Sequence, residues 1–424
     1  MIPGDLSMAD KKVIVIGAGI VGLSTAYYLH QRGIEVRVID NTDGNNNCSF
    51  GNAGYVSPSH LIPLASPGII NQGLKWMLNP ESPFYIKPRL NRDLIRWGLL
   101  FKKAARPNRV TAGAKVLYEL TVQSQSLFEE IMADESIQAG YHKPGLLMVC
   151  KTESALHHEQ ELVELAQSFG LEAEMLSRDE AERMDPEVQY DMAGAVYFGC
   201  DGWMTPNVFM QEFKKKLQQA RVPIDYGTEL LDIRHNGSVV ESITTNQGEM
   251  QADEFVLAAG AWSPLLMKKL KVDLPLQAGK GYSLTLPKPI VMPKLPSILV
   301  EGKIATTPML GGLRFAGTME IAGTQLNINQ RRVQGIIKAV KDFMPQFRDE
   351  DFSKLKPWAG LRPCTPDGLP YIGRSERYSN LLVGTGHAML GWTLGPITGQ
   401  VLAQNIAGEK PSIQSPLLAV ERYA

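Results

Sequence analysis

An α/β fold is predicted, with one Rossmann-type domain and a second, α+β domain built mostly on antiparallel sheet. Three stretches carry this expectation. Residues 13–40 read VIVIGAGIVGLSTAYYLHQRGIEVRVID, a strand, glycine turn, helix and second strand in direct succession. Residues 224–253 run as short alternating strands punctuated by His235-Asn236-Gly237 and Asn246-Gln247-Gly248. Residues 381–399, LLVGTGHAMLGWTLGPITG, place another strand, glycine loop and helix far down the chain. A length of 424 residues exceeds one ordinary core, so two domains are expected.

The first stretch has a fixed chemistry. Gly17 lets the chain reverse sharply, Gly19 lets the backbone approach a pyrophosphate, and Gly22 lets helix and strand pack closely. The helix opens at Ile20 and Val21, where unpaired N–H groups and the dipole favour an anion. Its apolar face carries Ala26 and Leu29. Asp40 ends the second strand roughly 20 residues past the glycines, placed with Asn41 to meet ribose hydroxyls. The next loop, NTDGNNNCSFGNAGYVSP, is rich in turn formers. Its small or polar Ser49, Asn52, Ala53 and Gly54 suit close approach to a large ligand.

Later elements follow in order. Helices are expected over 94–105 and 112–130, a strand over 145–150, and a charged helix over 154–169 stopped by Gly170. A strand over 193–198 precedes a helix capped by Thr205 with Pro206 at its first position. Short strands at 224–228, 231–234, 239–245 and 250–253 read as one meander. Residues 255–259, FVLAA, form a continuous apolar run of the kind a parallel sheet buries, and it ends at Gly260-Ala261-Trp262. Helices at about 330–343 and 395–407 close the pattern. The cofactor-type segments are scattered, so the domains are expected to be discontinuous. Residues 9–84, 205–264 and 357–424 are assigned to one, 85–204 and 265–356 to the other, and 1–8 to a disordered tail.

Composition narrows the classes. With 44% hydrophobic and 21% charged residues and a net charge of −1, the chain has a globular composition and no basic field for nucleic acid. Cys48, Cys150, Cys200 and Cys364 form no CxxC pair, no histidines sit at metal spacing, and the thiols read as free in a reducing, cytoplasmic compartment. No metal is expected. No signal-peptide pattern opens the sequence and no apolar run is long enough to span a bilayer. The run LIRWGLLF at 94–101 has basic flanks; it reads as a buried helix with snorkelling lysines, with peripheral docking on the inner face of the membrane as the alternative.

The C-terminal quarter points to redox chemistry. Residues 358–373, WAGLRPCTPDGLPYIG, hold Arg362, whose planar guanidinium can grip a carboxylate with two bonds. The strand–loop–helix after it suits the pyrimidine edge of a flavin, where negative charge develops on reduction. FAD, bound non-covalently, is therefore expected over NAD. Ala259, Gly260, Trp262, Gly360, Arg362, Gly386, His387, Ala388, Met389, Gly391, Trp392 and Thr393 are the further cofactor candidates. His387 reads either as an acid or base or as a hydrogen-bonded structural residue. Tyr55 and Tyr282 read either as hydroxyl donors to substrate or as core tyrosines.

The segments SFGNAGYVSP, PLASPGIINQGLKWMLNPESPFYIKPR, GKGYSLT, FAGTMEI, WAGLRPCTPDGLPYIG and GTGHAMLGWT resemble the FAD-dependent D-amino-acid oxidase and glycine oxidase superfamily. Within it, the chain is most similar to the bacterial D-amino-acid dehydrogenase type, as the small, flavin-bearing subunit. The resemblance covers nearly the whole chain. It implies hydride transfer from a D-amino acid to flavin N5, giving an imino acid that hydrolyses to an oxo acid and ammonia. Electrons would pass to a quinone or another carrier. It also implies Arg362, in the LRP segment, as the carboxylate anchor, with Tyr282, His387 and Tyr55 nearby. A second arginine found in related glycine oxidases falls near Met389 here. Oxidase activity with oxygen, a secondary-amine donor such as proline or sarcosine, and a flavin-binding subunit of a larger complex are the alternatives.

Overall fold

A computed structural model describes residues 11–69, 73 and 81–424. The expected tail, 1–8, lies outside the described residues, as does part of the PLASPG segment.

Two sheets organise the chain. The first has six strands in the order Tyr371–Arg374, Leu381–Thr385, Glu254–Leu257, Lys12–Ile16, Glu35–Asp40 and Ile224–Tyr226. All pairings are parallel except that of the first two. Strand alternation sends Val13 and Val15 to one face, against Leu23, Leu29, Phe213 and Val401 of the flanking helices. Ile14 and Ile16 face the other side, with Ile233, Phe255 and Tyr378. A sheet covered on both faces needs nearly continuous apolar strands, and VIVI and FVL supply them.

The second sheet has nine strands. Its path runs Trp358–Cys364, Gln277–Leu286, Gly312–Ile321, Ile304–Met309, Ser297–Leu299, Leu146–Cys150, Gly194–Phe198 and Ala173–Ser177, with Phe84–Ile86 beside Gly312–Ile321. Most pairs are antiparallel; two are parallel. The helix Gln330–Phe343, capped by Asn329, covers one face with Val333, Ile336 and Val340 packed on Phe315 and Leu284. The chain crosses between the two sheets after residues 40, 198, 257 and 364.

Several expectations change. Ile224–Tyr226 is not part of the meander; it lies parallel to Glu35–Asp40 at the edge of the first sheet. The helix Pro206–Gln219 precedes it and makes a crossover back onto that sheet. The meander keeps Leu230–Asn236, Val239–Thr245 and Gly248–Met250. Thr205 does not cap its helix through the side chain, because Oγ1 accepts from Leu310 N–H at 3.0 Å. Trp358–Cys364, grouped in sequence with the flavin segments, hydrogen-bonds to Gln277–Leu286 in the second sheet. The helix Arg92–Ala104 is not buried: only Trp97 is, while Ile95 and Leu99 are 54% and 67% exposed. The strand Ala173–Ser177 and helix Arg178–Met184 were not anticipated, although the Ser177/Glu180 capping box between them is a readable signal.

Candidate active site

A cavity of about 1450 Å³ lies where the C-terminal ends of the first sheet meet a face of the second. Its narrow end is the glycine turn. Gly17 has φ 113°, and a Cβ there would sit 2.5 Å from the Ala258 carbonyl oxygen. A Cβ on Gly22 would overlap the Gly17 carbonyl, so this glycine serves packing and does not line the cavity. Gly19 does line it, with only Ser49 Oγ near its Cβ position, at 3.4 Å. That openness is what a phosphate needs.

Side chains from the next loop brace the turn. Ile20 N–H donates to Ser49 Oγ at 3.0 Å, and Ala18 N–H donates to Asp40 Oδ2 at 2.6 Å. Thr42 donates to Asp40 Oδ1 through N–H and Oγ1, which holds the carboxylate at the strand end. Asn52 folds the loop on itself: its Nδ2 donates to Ser49 O, and its Oδ1 accepts from Gly54 N–H, both at 2.7 Å. Arg314, on the second sheet, donates to the Phe50 and Asn52 carbonyls at 3.3 and 2.9 Å. Burial lowers its pKa to about 10. Sequence reasoning missed this residue, because nothing in FAG or its neighbours marks a clasp to a loop more than 260 residues earlier, at separations of 264 and 262.

The wide end holds the remaining candidates. Asn41, Ala53, Ala259, Gly260, Trp262, Gly360, Ala388, Gly391, Trp392 and Thr393 all line it, and Met389 stands half-exposed at its margin. Thr393 Oγ1 donates to Tyr55 O at 2.9 Å, joining the late glycine loop to the early one. Trp392 packs between Phe128 and Phe209, and its buried Nε1 has no partner among the described residues. Gly386 is an exception among the candidates. Its φ is 84° and a Cβ would meet Thr365 and Tyr371, so it is a packing turn away from the cavity.

The expected helix N-terminus at the flavin pyrimidine is displaced. The helix starts at Gly395, after a 3-10 turn over Ala388–Leu390, and Gly395 does not border the cavity. Pro396 has no N–H, and Ile397 N–H donates to Ser124 Oγ at 3.3 Å. The groups facing the cavity therefore belong to the 3-10 turn, where Ala388 has φ 48°.

All four candidate catalytic residues, Arg362, His387, Tyr55 and Tyr282, border the cavity, but their polar groups are engaged differently. Arg362 lines the cavity, and its guanidinium, lowered in pKa by burial, has no acidic partner among the described residues. Nη1 donates to the Thr318 carbonyl at 2.6 Å. His387 also lines the cavity, but Nε2 bonds Thr398 Oγ1 at 2.8 Å and burial drops the imidazole to about 3. It is neutral at working pH and is no proton source there. Tyr55 OH donates to Ser297 O at 2.7 Å, with Thr306 O at 3.0 Å, and is occupied by strand ends. Tyr282 is 1% exposed, and its hydroxyl donates to Glu320 Oε2 at 2.6 Å. It packs with Phe315 and Phe347 on the face opposite Arg362, because alternation places Gly281 rather than Tyr282 toward the guanidinium. Neither hydroxyl is free for substrate. Cys364 is fully buried behind Arg362, beside Met319 Sδ at 3.7 Å.

A family profile described as "FAD dependent oxidoreductase" (DAO) matches residues 12–405. The chain belongs to the DAO family. DAO-family relatives include the D-amino acid dehydrogenase of Granulibacter bethesdensis, 32% identical over 419 residues, covering 97% of this chain and 100% of that one. The D-amino acid dehydrogenase of Vibrio atlanticus is 33% identical over the same length and shares. Among solved structures, glycine oxidase from Geobacillus kaustophilus superposes with a TM-score of 0.79 at 20% identity, over 98% of this chain and all of that one. L-proline dehydrogenase from P. horikoshii gives 0.73 at 18% identity, over 97% of each chain.

The residues fit the FAD of this DAO enzyme. The open backbone at Gly19 and the first helical turn suit its diphosphate, and Asp40 its ribose. The orphaned Trp392 Nε1 is a buried polar atom that a polar ligand would satisfy. Among the described residues no group of His, Cys, Asp or Glu could hold a metal ion, and no helix is long and apolar enough to cross a membrane.

Proposed function

We propose that this DAO-family enzyme oxidises a D-amino acid at its Cα–N bond, with Arg362 holding the carboxylate. The observation that carries the reading is a partly buried guanidinium on the cavity wall with no carboxylate to neutralise it among the described residues. A buried cation of this kind is costly unless an anion arrives with the ligand. Relatives that act on D-amino acids match 97% of the chain. The bound flavin supplies the hydride acceptor. Arg362 fixes the donor by two parallel bonds and so orients Cα–H, and the apolar cavity excludes water. The nitrogen lone pair of the neutral amine assists hydride departure, so no protein base is required. His387, at about 3, takes no proton in this scheme. The imino acid then hydrolyses to an oxo acid and ammonia.

An anaerobic titration tests this. D-amino acids are expected to bleach the flavin while their L-enantiomers leave it oxidised. Bleaching by neither, or by both equally, would remove the reading.

The acceptor in this proposal is a quinone or similar carrier met at the inner face of the cytoplasmic membrane. The helix Arg92–Ala104 supports it, with Ile95 and Leu99 exposed and Lys102, Lys103 and Arg106 beside them. Trp97, Gly98, Phe101 and Lys102 of this helix also border the cavity, which gives an apolar carrier a short path inward. Leu99→Glu is expected to cut co-sedimentation with anionic-lipid vesicles at least about fivefold, since each apolar side chain withdrawn from the interface forfeits part of the binding. Unchanged co-sedimentation would dismiss the contact.

A further inference from the structure

The pairing of Gln277–Leu286 with Gly312–Ile321 is irregular at one place. Lys280 faces Glu320 and Tyr282 faces Gly317, so Thr318 and Met319 together stand opposite Gly281. This is a β-bulge, and the extra residue turns the local backbone. Thr318 carries the turn at φ 70°, in the left-handed region, where a β-branched residue is a rare outlier. Its carbonyl consequently points at Arg362 and accepts from Nη1 at 2.6 Å. The strained residue, the arginine and Gly281 all border the cavity.

Gly281 supplies the second half of the arrangement. A Cβ built there would overlap Nη1 and lie 2.6 Å from Cζ and 2.7 Å from Nη2. The guanidinium thus lies flat against a backbone that only glycine provides. One N–H is tied to a carbonyl, and the remaining donors of the fork have no partner among the described residues. Strain at such a place is maintained by the surrounding sheet.

We propose that Gly281 and the left-handed bulge at Thr318 are positioning residues that aim the Arg362 guanidinium at the substrate carboxylate and set the enzyme's affinity for carboxylate-bearing donors. The proposal rests on the reading of Arg362 given above. Thr318 holds one edge of the guanidinium by a main-chain acceptor, and Gly281 gives its plane somewhere to lie. A side chain at 281 would rotate the fork out of register with the carboxylate, which weakens binding before it touches the flavin.

The holoenzyme carries the test. Gly281→Ala is expected to raise KM for a D-amino acid, and Kd for propionate read from the flavin spectrum, at least about tenfold, with bound FAD unchanged. Thr318→Gly keeps the main-chain carbonyl and relieves the strain, so both constants should stay within about threefold of the parent. In an Arg362→Lys background, Gly281→Ala should change either constant less than about twofold, because the overlapped guanidinium is gone. Parent-like constants in Gly281→Ala, an equal penalty in both backgrounds, or tenfold losses in Thr318→Gly would each overturn the proposal. If Gly281→Ala does not fold, the Arg362→Lys double variant must fold; failure of both would also overturn it. Parent-like propionate affinity in Arg362→Lys alone would instead sink the reading of Arg362 as the anchor.

Discussion

Arg362→Ala is expected to lower kcat/KM for a D-amino acid by roughly 10³-fold while the purified protein stays yellow. Removing one partner of a buried, hydrogen-bonded charge pair costs about 2–5 kcal/mol, which spans roughly 30- to 4000-fold. Both parameters should move. KM rises because the carboxylate would be left desolvated without a counter-charge. The turnover number falls because a donor no longer held by two bonds loses its alignment, and small misplacements are expensive in rate. FAD content should not change, because the diphosphate cradle at Gly17 and Gly19 is formed by the other sheet. Steady-state kinetics and the ratio of flavin to protein absorbance check the two halves. Equal loss of flavin and activity would mean that Arg362 is structural.

Gly22→Ala is expected to do the reverse, leaving a protein that folds poorly and is purified largely colourless. Its Cβ would overlap the Gly17 carbonyl oxygen and lie 2.9 Å from the carbonyl carbon. Both are backbone atoms, so relief requires the helix Ile20–Gln31 to move off the strand Lys12–Ile16. Overpacking of this kind costs about 1–3 kcal/mol in stability. The same shift carries the first-turn N–H groups away from the phosphate position, so an FAD affinity loss of roughly 100-fold is expected, about 2.7 kcal/mol. Absorbance near the flavin bands, before and after added FAD, measures it. A fully loaded Gly22→Ala enzyme with parental melting would contradict the packing argument.

The two substitutions probe regions that differ in how openly the residues declare themselves. The glycine turn is legible because its constraints are local: Gly17, Gly19 and Gly22 act within a few residues of one another, so spacing alone conveys the geometry. Arg362 stands out in the sequence because it precedes a run of turn formers and matches the LRP segment of the superfamily the chain resembles, and the structure places it on the cavity wall. The Glu320 partner of Tyr282 was not legible, because a strand's pattern does not say which face a side chain takes. That face depends on pairing with residues about 35 positions away, and on a bulge invisible in FAGTMEI. The helix Arg92–Ala104 has a clear amphipathic period, yet nothing in LIRWGLLF reveals that so little of the protein covers it. The last helix lies at Gly395–Ala407, as expected, but the 3-10 turn at Ala388–Leu390 before it was not legible.

The repeated passage of the chain between sheets has a mechanical corollary. Each half is assembled from separated stretches, so a single proteolytic nick at a central connection, after residue 198 or 257, leaves two fragments held together by the sheets they share. Neither half can be expressed alone by truncation from one end, since no single cut separates all the strands of one sheet from those of the other. Fragments produced in separate hosts should regain colour only when mixed, and the chromophore would then report reassembly of the whole molecule.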